Sequence, residues 1–177
     1  TASKCFVSSI LAGMFIALGA LFFCTFLGDA TLPFGIQRVL GGGVCFCLGL
    51  VLVLCCGAEL FTGNALMVTA LASKKIALSG MLKNWAIVWV GNLCGSLIVV
   101  FIAFMAHAGD MNGGGVASVM ISTAVSKINP DWVTLFFKGI LCNVLVCLAV
   151  WIGYAGRTVV DKVVGVLLPI TAFVACG

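Results

Sequence analysis

Five apolar runs, divided by short polar stretches, leave this chain little material for a water-facing surface. They cover residues 5–28, 39–73, 84–109, 133–156 and 163–177. Hydrophobic residues make up 63% of the 177 and charged ones 8%, with a mean hydropathy of +1.32. A soluble domain carries about 25% charged residues. The composition therefore excludes a soluble enzyme, a disordered chain and a nucleic-acid module. A helix needs about 20 apolar residues to cross a bilayer, so the runs describe an all-α, multispan membrane protein. The last run stops after 15 residues.

The few charges serve as topology markers. Lys4, Lys74, Lys75, Lys83, Arg157 and Lys162 fall on one side of the alternating spans, and Arg38 and Lys127 on the other. The positive-inside rule places the N-terminus and the 74–83 connection in the cytoplasm. The 110–132 connection is then extracellular. Its Gly113-Gly114-Gly115 and Asn129-Pro130 predict an irregular or only briefly helical loop.

The run at 39–73 is too long for one straight crossing. As a single helix it would reach about 50 Å, against a hydrocarbon core of about 30 Å, so it either tilts or breaks. Gly41-Gly42-Gly43, Gly49 and Gly57 offer places to break it. Its one charge, Glu59, argues further for a break. A mid-membrane acid is costly unless paired or wetted, and non-helical backbone persists at membrane depth only where protein or a water-filled cavity satisfies it. A broken helix with a buried acid is a feature of transport sites. The plainer alternative is an interfacial Glu59 that caps a helix.

Gly91-Asn92-Leu93-Cys94-Gly95 is a GxxxG pattern, read as a close helix–helix contact. Asn143 lies mid-run, either as interhelical glue or as a group that orients a solute. The ten cysteines form no CxxC pair and read as small buried hydrophobes. One histidine, His107, cannot supply a haem pair or a metal site. The residues imply no cofactor and no metal, and no nucleophile–base pair of an enzyme.

Three stretches together resemble the formate/nitrite transporter family: Gly57-Ala58-Glu59-Leu60-Phe61-Thr62-Gly63-Asn64, then Lys83-Asn84-Trp85 with the GxxxG, then Gly139-Ile140-Leu141-Cys142-Asn143 running on to Trp151. The resemblance covers nearly the whole chain. It implies an aquaporin-like fold of two inverted three-helix halves, with helices two and five broken, and a homopentamer with one pore per protomer. On this chain the halves are residues 1–109 and an incomplete 133–177, joined by the extracellular 110–132. The implied substrates are small weak-acid anions: formate first, with nitrite or hydrosulfide as others.

The resemblance assigns pore residues at Thr62, Lys127, Asn143 and Val146, and apolar constrictions at Phe46, Leu50 and Phe173. Lys127 stands sixteen residues before Asn143, as the family's vestibule lysine does. The family's pore histidine follows the small-residue end of helix five, where this chain ends at Gly177. The chain is therefore expected to be a piece of a longer protein. Lys138 departs from the family's apolar residue and either snorkels outward or adds positive potential.

These residue types suit the chemistry. An anion cannot cross an apolar constriction without a large desolvation penalty, whereas its neutral acid can. Lys127 would concentrate the anion, the low dielectric would raise its proton affinity, and Thr62 would offer a hydroxyl. Two other classes remain: a water or glycerol pore, for which the paired Asn-Pro-Ala signatures are missing, and a scaffold subunit that moves nothing.

Overall fold

The computed structural model describes residues 1–31 and 35–175, and among these it contains helices and no strand. In order they are α1 (Ala2–Leu27), α2 (Ile36–Cys56), α3 (Phe61–Asn64), α4 (Met67–Ala72), α5 (Leu78–Met105), a 3-10 turn at Ala108–Asp110, α6 (Gly115–Ile128), α7 (Trp132–Ala155) and α8 (Val159–Ala175). Four segments are long and apolar enough to cross a membrane: Ala2–Leu27, Val39–Cys56, Leu78–Met105 and Trp132–Ala155. Their outer faces are apolar as well. Phe104 and Trp132 are each 77% exposed, and Leu168 of α8 is 76% exposed, a distribution that only a lipid or protein neighbour would tolerate. The chain is a multi-pass membrane protein.

Small residues set the packing. α1 lies against both α5 and α2, α2 against α8, and α8 against α7. The GxxxG of α5 faces α1, as expected: a Cβ on Gly91 would run into Ser9 Oγ, and one on Gly95 into the Ile10 carbonyl. Across the contact, a Cβ on Gly13 would meet the Asn92 carbonyl. The two backbones thus touch, which gives dispersion contact in a medium where burial of apolar surface gives little. Ser96 Oγ ties the pair further, donating to Asn92 O at 2.9 Å with Gly13 O at 3.3 Å.

The 110–132 connection departs from expectation. It carries a 14-residue helix, α6, longer than the irregular or briefly helical stretch that the glycines and Asn-Pro predict. The glycines start the helix instead: Gly113 and Gly114 take positive φ (62° and 87°), and Gly114 is the N-cap. Tertiary contact then holds it. Val116 is fully buried, a Cβ on Gly115 would run into the Gly28 carbonyl, and Asn112 Nδ2 donates to Thr25 O at 3.0 Å.

The last two helices have side-chain caps. Asp131 accepts from the amides of Val133 (3.1 Å) and Thr134 (3.2 Å) at the start of α7. At α8, Thr158 and Asp161 form a capping box: Asp161 N–H donates to Thr158 Oγ1 at 3.1 Å, and Thr158 N–H to Asp161 Oδ2 at 2.9 Å. α8 begins before the fifth apolar run because this polar box is its first turn. It contains Pro169 and remains helical to Ala175. The break expected at its end, Cys176 and Gly177, lies outside the described residues.

Candidate pore at a helix interruption

Of the glycines that could break the second apolar run, Gly57 does so. α2 ends at Cys56 and Gly57 takes φ 64°, ψ 36°, a left-handed conformation open to glycine at little cost. The others are packing positions inside α2. Gly43 lies against Thr171 of α8, and Gly49 against Phe15 and Ile16 of α1. Residues 57–60 are non-helical, with Leu60 extended (φ −106°, ψ 128°), and α3 starts at Phe61. The path is therefore bent in mid-run and is not one long helix.

Backbone groups freed by the break find protein partners, as they must at membrane depth. Ala58 N–H donates to Val53 O at 2.9 Å, and Glu59 N–H to Ser8 O at 3.4 Å. Ser8 Oγ donates to Gly57 O at 3.3 Å. Asn92 of α5 serves both flanks of Leu60: its Nδ2 donates to Glu59 O and its Oδ1 accepts from Phe61 N–H, each at 2.9 Å.

Glu59 is half-buried and held by an asparagine chain. Asn64 Nδ2 donates to Glu59 Oε2 at 2.7 Å and to Asn84 Oδ1 at 2.9 Å. Asn84 Nδ2 in turn points at Cys5 Sγ (3.4 Å), and Trp85 Nε1 donates to Asn64 O at 2.9 Å. The acid thus sits at the head of a polar chain that runs through α3 and α5 to α1.

The interruption presents Thr62 to α7. Cys147 Sγ donates to Thr62 O at 3.6 Å, and the buried Gly63 sits against Val150. Asn143 lies one turn before Cys147, and both line a groove with Leu135, Phe136, Gly139, Ile140 and Val144. The Asn143 Oδ1 is buried and has no hydrogen-bond partner among the described residues, an arrangement that costs free energy unless a ligand or water meets it. Val146 points the other way, into the core with Ala149 and Val150. The Thr62 backbone therefore meets the face of α7 that carries Asn143 and Cys147, while Val146 packs in the core.

The three residues expected at apolar constrictions lie in one packed cluster. The rings of Phe46 (α2) and Phe173 (α8) lie 5.9 Å apart at 41°, and Phe23 of α1 meets Phe46 edge-on at 6.5 Å. Leu50, one turn from Phe46, is 2% exposed within the core. Lys127 sits in the last turn of α6, where a cation suits the carbonyl end of a helix. Lys138 is exposed on the first half of α7.

The sequence reading missed the polar scaffold: Asn64 and Asn84 beneath Glu59, and Cys147 against Thr62. The available signal was a set of asparagines within or beside apolar runs, each of which is costly alone and so implies a partner.

Comparison with known proteins follows the same lines. The family model for formate/nitrite transporters matches residues 1–177. The chain is 39% identical over 175 residues to the formate channel FocA of Escherichia coli strain K12, covering 98% of this chain and 61% of that protein. It is 38% identical to FocA of Haemophilus influenzae, again over 61% of the relative. The chain thus spans about three fifths of these curated relatives, which are channels and not enzymes. Among solved structures it resembles a pentameric formate channel with formate bound, at TM-score 0.91 and 37% identity, covering 99% of this chain and 69% of that one. It also resembles an FNT family ion channel, at TM-score 0.85 and 33% identity, covering 99% of this chain and 68% of that one.

Proposed function

Because the chain belongs to the formate/nitrite transporter family, we propose that it moves small monovalent weak-acid anions across a membrane, formate before nitrite or hydrosulfide. The observation that carries this reading is the helix interruption whose Thr62 carbonyl meets Cys147 of α7, one turn from the unpartnered Asn143 Oδ1. In this reading the packed cluster of Phe46, Leu50 and Phe173 supplies the apolar constriction.

The steps follow from the chemistry. Lys127, on the extracellular side, raises the local anion concentration. The Thr62 hydroxyl and the Asn143 side chain then offer hydrogen bonds to a carboxylate or carboxylic acid that has shed water. Between the aromatic rings the anion's charge is expensive, so the anion takes a proton from the water on the entry side, crosses the narrowest part as the neutral acid and returns the proton to water beyond it. In this reading residues 1–109 and 133–177 belong to two inverted halves around the pore, with 110–132 outside and the N-terminus in the cytoplasm. Five copies assemble, each with its own pore. The pentameric arrangement of a formate channel of similar fold supports this.

The test is flux in proteoliposomes holding the full-length protein. Formate should enter saturably and faster than glycerol. Equal rates for both would favour a neutral-solute pore, and no flux of either would favour a scaffold.

A further inference from the structure

Asn92 does more than join two helices. A side-chain amide has two N–H donors and one carbonyl acceptor, and Asn92 uses all of them. One donor goes to Ser9 O on α1 at 2.7 Å, the bond expected of interhelical glue. The other goes to Glu59 O, and the acceptor takes Phe61 N–H. Two of the three bonds therefore serve the interruption. They grip the residues immediately before and after Leu60, and Thr62 follows directly.

The clamp is itself rigidly mounted. Asn92 lies beside Gly91 and one turn before Gly95, in the stretch where the α1 and α5 backbones touch, and its carbonyl abuts Gly13. Phe61 N–H is the first amide of α3, a donor without an intrahelical acceptor. Glu59 O lies on the non-helical side. With both tied to one planar amide, the turn at Leu60 has little freedom, and α3 cannot slide along α7.

We infer that Asn92 is a positioning residue for permeation: it acts through the backbone on either side of Leu60 to fix Thr62 against the Asn143–Cys147 face, and so sets which solutes pass. The functional half of this statement rests on the channel reading above, and the structural half does not.

The experiment uses the full-length protein and two readouts. Hydrogen exchange by mass spectrometry follows residues 57–66 in wild type, Asn92→Ala and Asn92→Asp. Flux of formate and of acetate follows the same variants, with Thr62→Ala and the Asn92→Ala/Thr62→Ala double variant. Exchange at 57–66 should rise in Asn92→Ala, less in Asn92→Asp, which keeps the acceptor for Phe61 N–H. Exchange in residues 10–25 and 96–104 should stay as in wild type. Formate flux should fall at least tenfold in Asn92→Ala and the acetate-to-formate ratio should change, while the double variant should lose no more than the worse single one. Should Asn92→Ala fail to assemble, Asn92→Asp with Thr62→Ala gives the same cycle. Unchanged exchange at 57–66, or losses that multiply in the double variant, would overturn the positioning role. Wild-type protein that moves no formate, with exchange still raised at 57–66 in Asn92→Ala, would instead overturn the channel reading and leave the clamp standing.

Discussion

Asn64 Nδ2 and Glu59 Oε2 lie 2.7 Å apart across the first turn of α3. This bond gives the acid a donor inside the apolar run, and Asn84 holds the same Asn64 amide from α5. Asn64→Leu strands both the Glu59 carboxylate and the Asn84 carbonyl, whereas removing the acid as well leaves only the neutral carbonyl unpaired. Asn64→Leu should therefore destabilise the detergent-solubilised protein by about 2 kcal/mol, and Glu59→Leu/Asn64→Leu by less than that single change. Thermal unfolding of the two variants beside wild type measures this. A double variant less stable than Asn64→Leu would show that the pair is not the relevant unit.

The α1–α5 contact predicts a sharp contrast among glycines. Gly95→Val would push a side chain into the Ile10 carbonyl, and overpacking of this kind costs about 1–3 kcal/mol. Gly80, in the same helix, has open space where a Cβ would stand, with no atom within 4 Å. Gly80→Ala should therefore leave stability unchanged or raise it by about 0.5–1 kcal/mol. Melting temperatures of the two variants decide the matter.

Thr62 and Asn143 should separate hydroxyl and amide chemistry from packing. Thr62→Val keeps the shape and removes the hydroxyl, and formate flux should fall at least tenfold, about 1.4 kcal/mol in the barrier. Thr62→Ser should retain most of the flux. Asn143→Leu should lower flux comparably without loss of folded yield, because its Oδ1 bonds to no group among the described residues. Wild-type flux from Thr62→Val would remove the hydroxyl from the mechanism.

Lys127 should act through its charge. Lys127→Ala is expected to cut formate entry tenfold or more, and Lys127→Arg much less. Raising the salt concentration should slow the wild type and leave Lys127→Ala little changed, because screening acts on the exposed charge. An unchanged rate in Lys127→Ala would return the residue to an ordinary surface lysine.

The cap of α7 has a pH signature. The Thr134 hydroxyl, the Thr134 amide and the Val133 amide hold the Asp131 carboxyl below its usual range. With the folded pKa lower than the unfolded one, the cap's stabilisation is complete above the unfolded value, near about 4, and is lost as pH falls through the folded value. Asp131→Asn keeps a capping oxygen without this titration. Melting curves from pH 7 down to 3 should show wild type losing more stability than Asp131→Asn at the acid end.

Much of the fold is legible in the residues, because spanning depends on length and apolarity and both are one-dimensional properties. The apolar runs up to residue 156 mark the crossings, and the GxxxG identifies the face of α5 that meets α1. Glu59 argues for a break in the second run, since a lone acid at membrane depth needs a partner, and leaves an interfacial helix cap as the other reading. Which glycine breaks the run is not legible. Gly43, Gly49 and Gly57 are equivalent as letters, and the choice falls to Gly57 because the first two are occupied in contact with α8 and α1. Likewise a glycine triplet and Asn-Pro read as an irregular or briefly helical stretch, yet the longer α6 forms there because Val116 is buried and Gly115 finds a surface at the end of α1.

The site divides in the same way. Motif positions point to Thr62, Asn143 and Lys127, but nothing along the chain says that Asn92 reaches Glu59 and Phe61, 33 and 31 residues away, or that Cys147 meets Thr62. From the order of residues alone it follows that the chain must live in a membrane and that its second run is too long for one straight crossing. Where it bends, and which asparagines hold the bend, follows from the packed helices and from nothing earlier, because a hydrogen bond at membrane depth depends on distances between helices, and packing sets those distances.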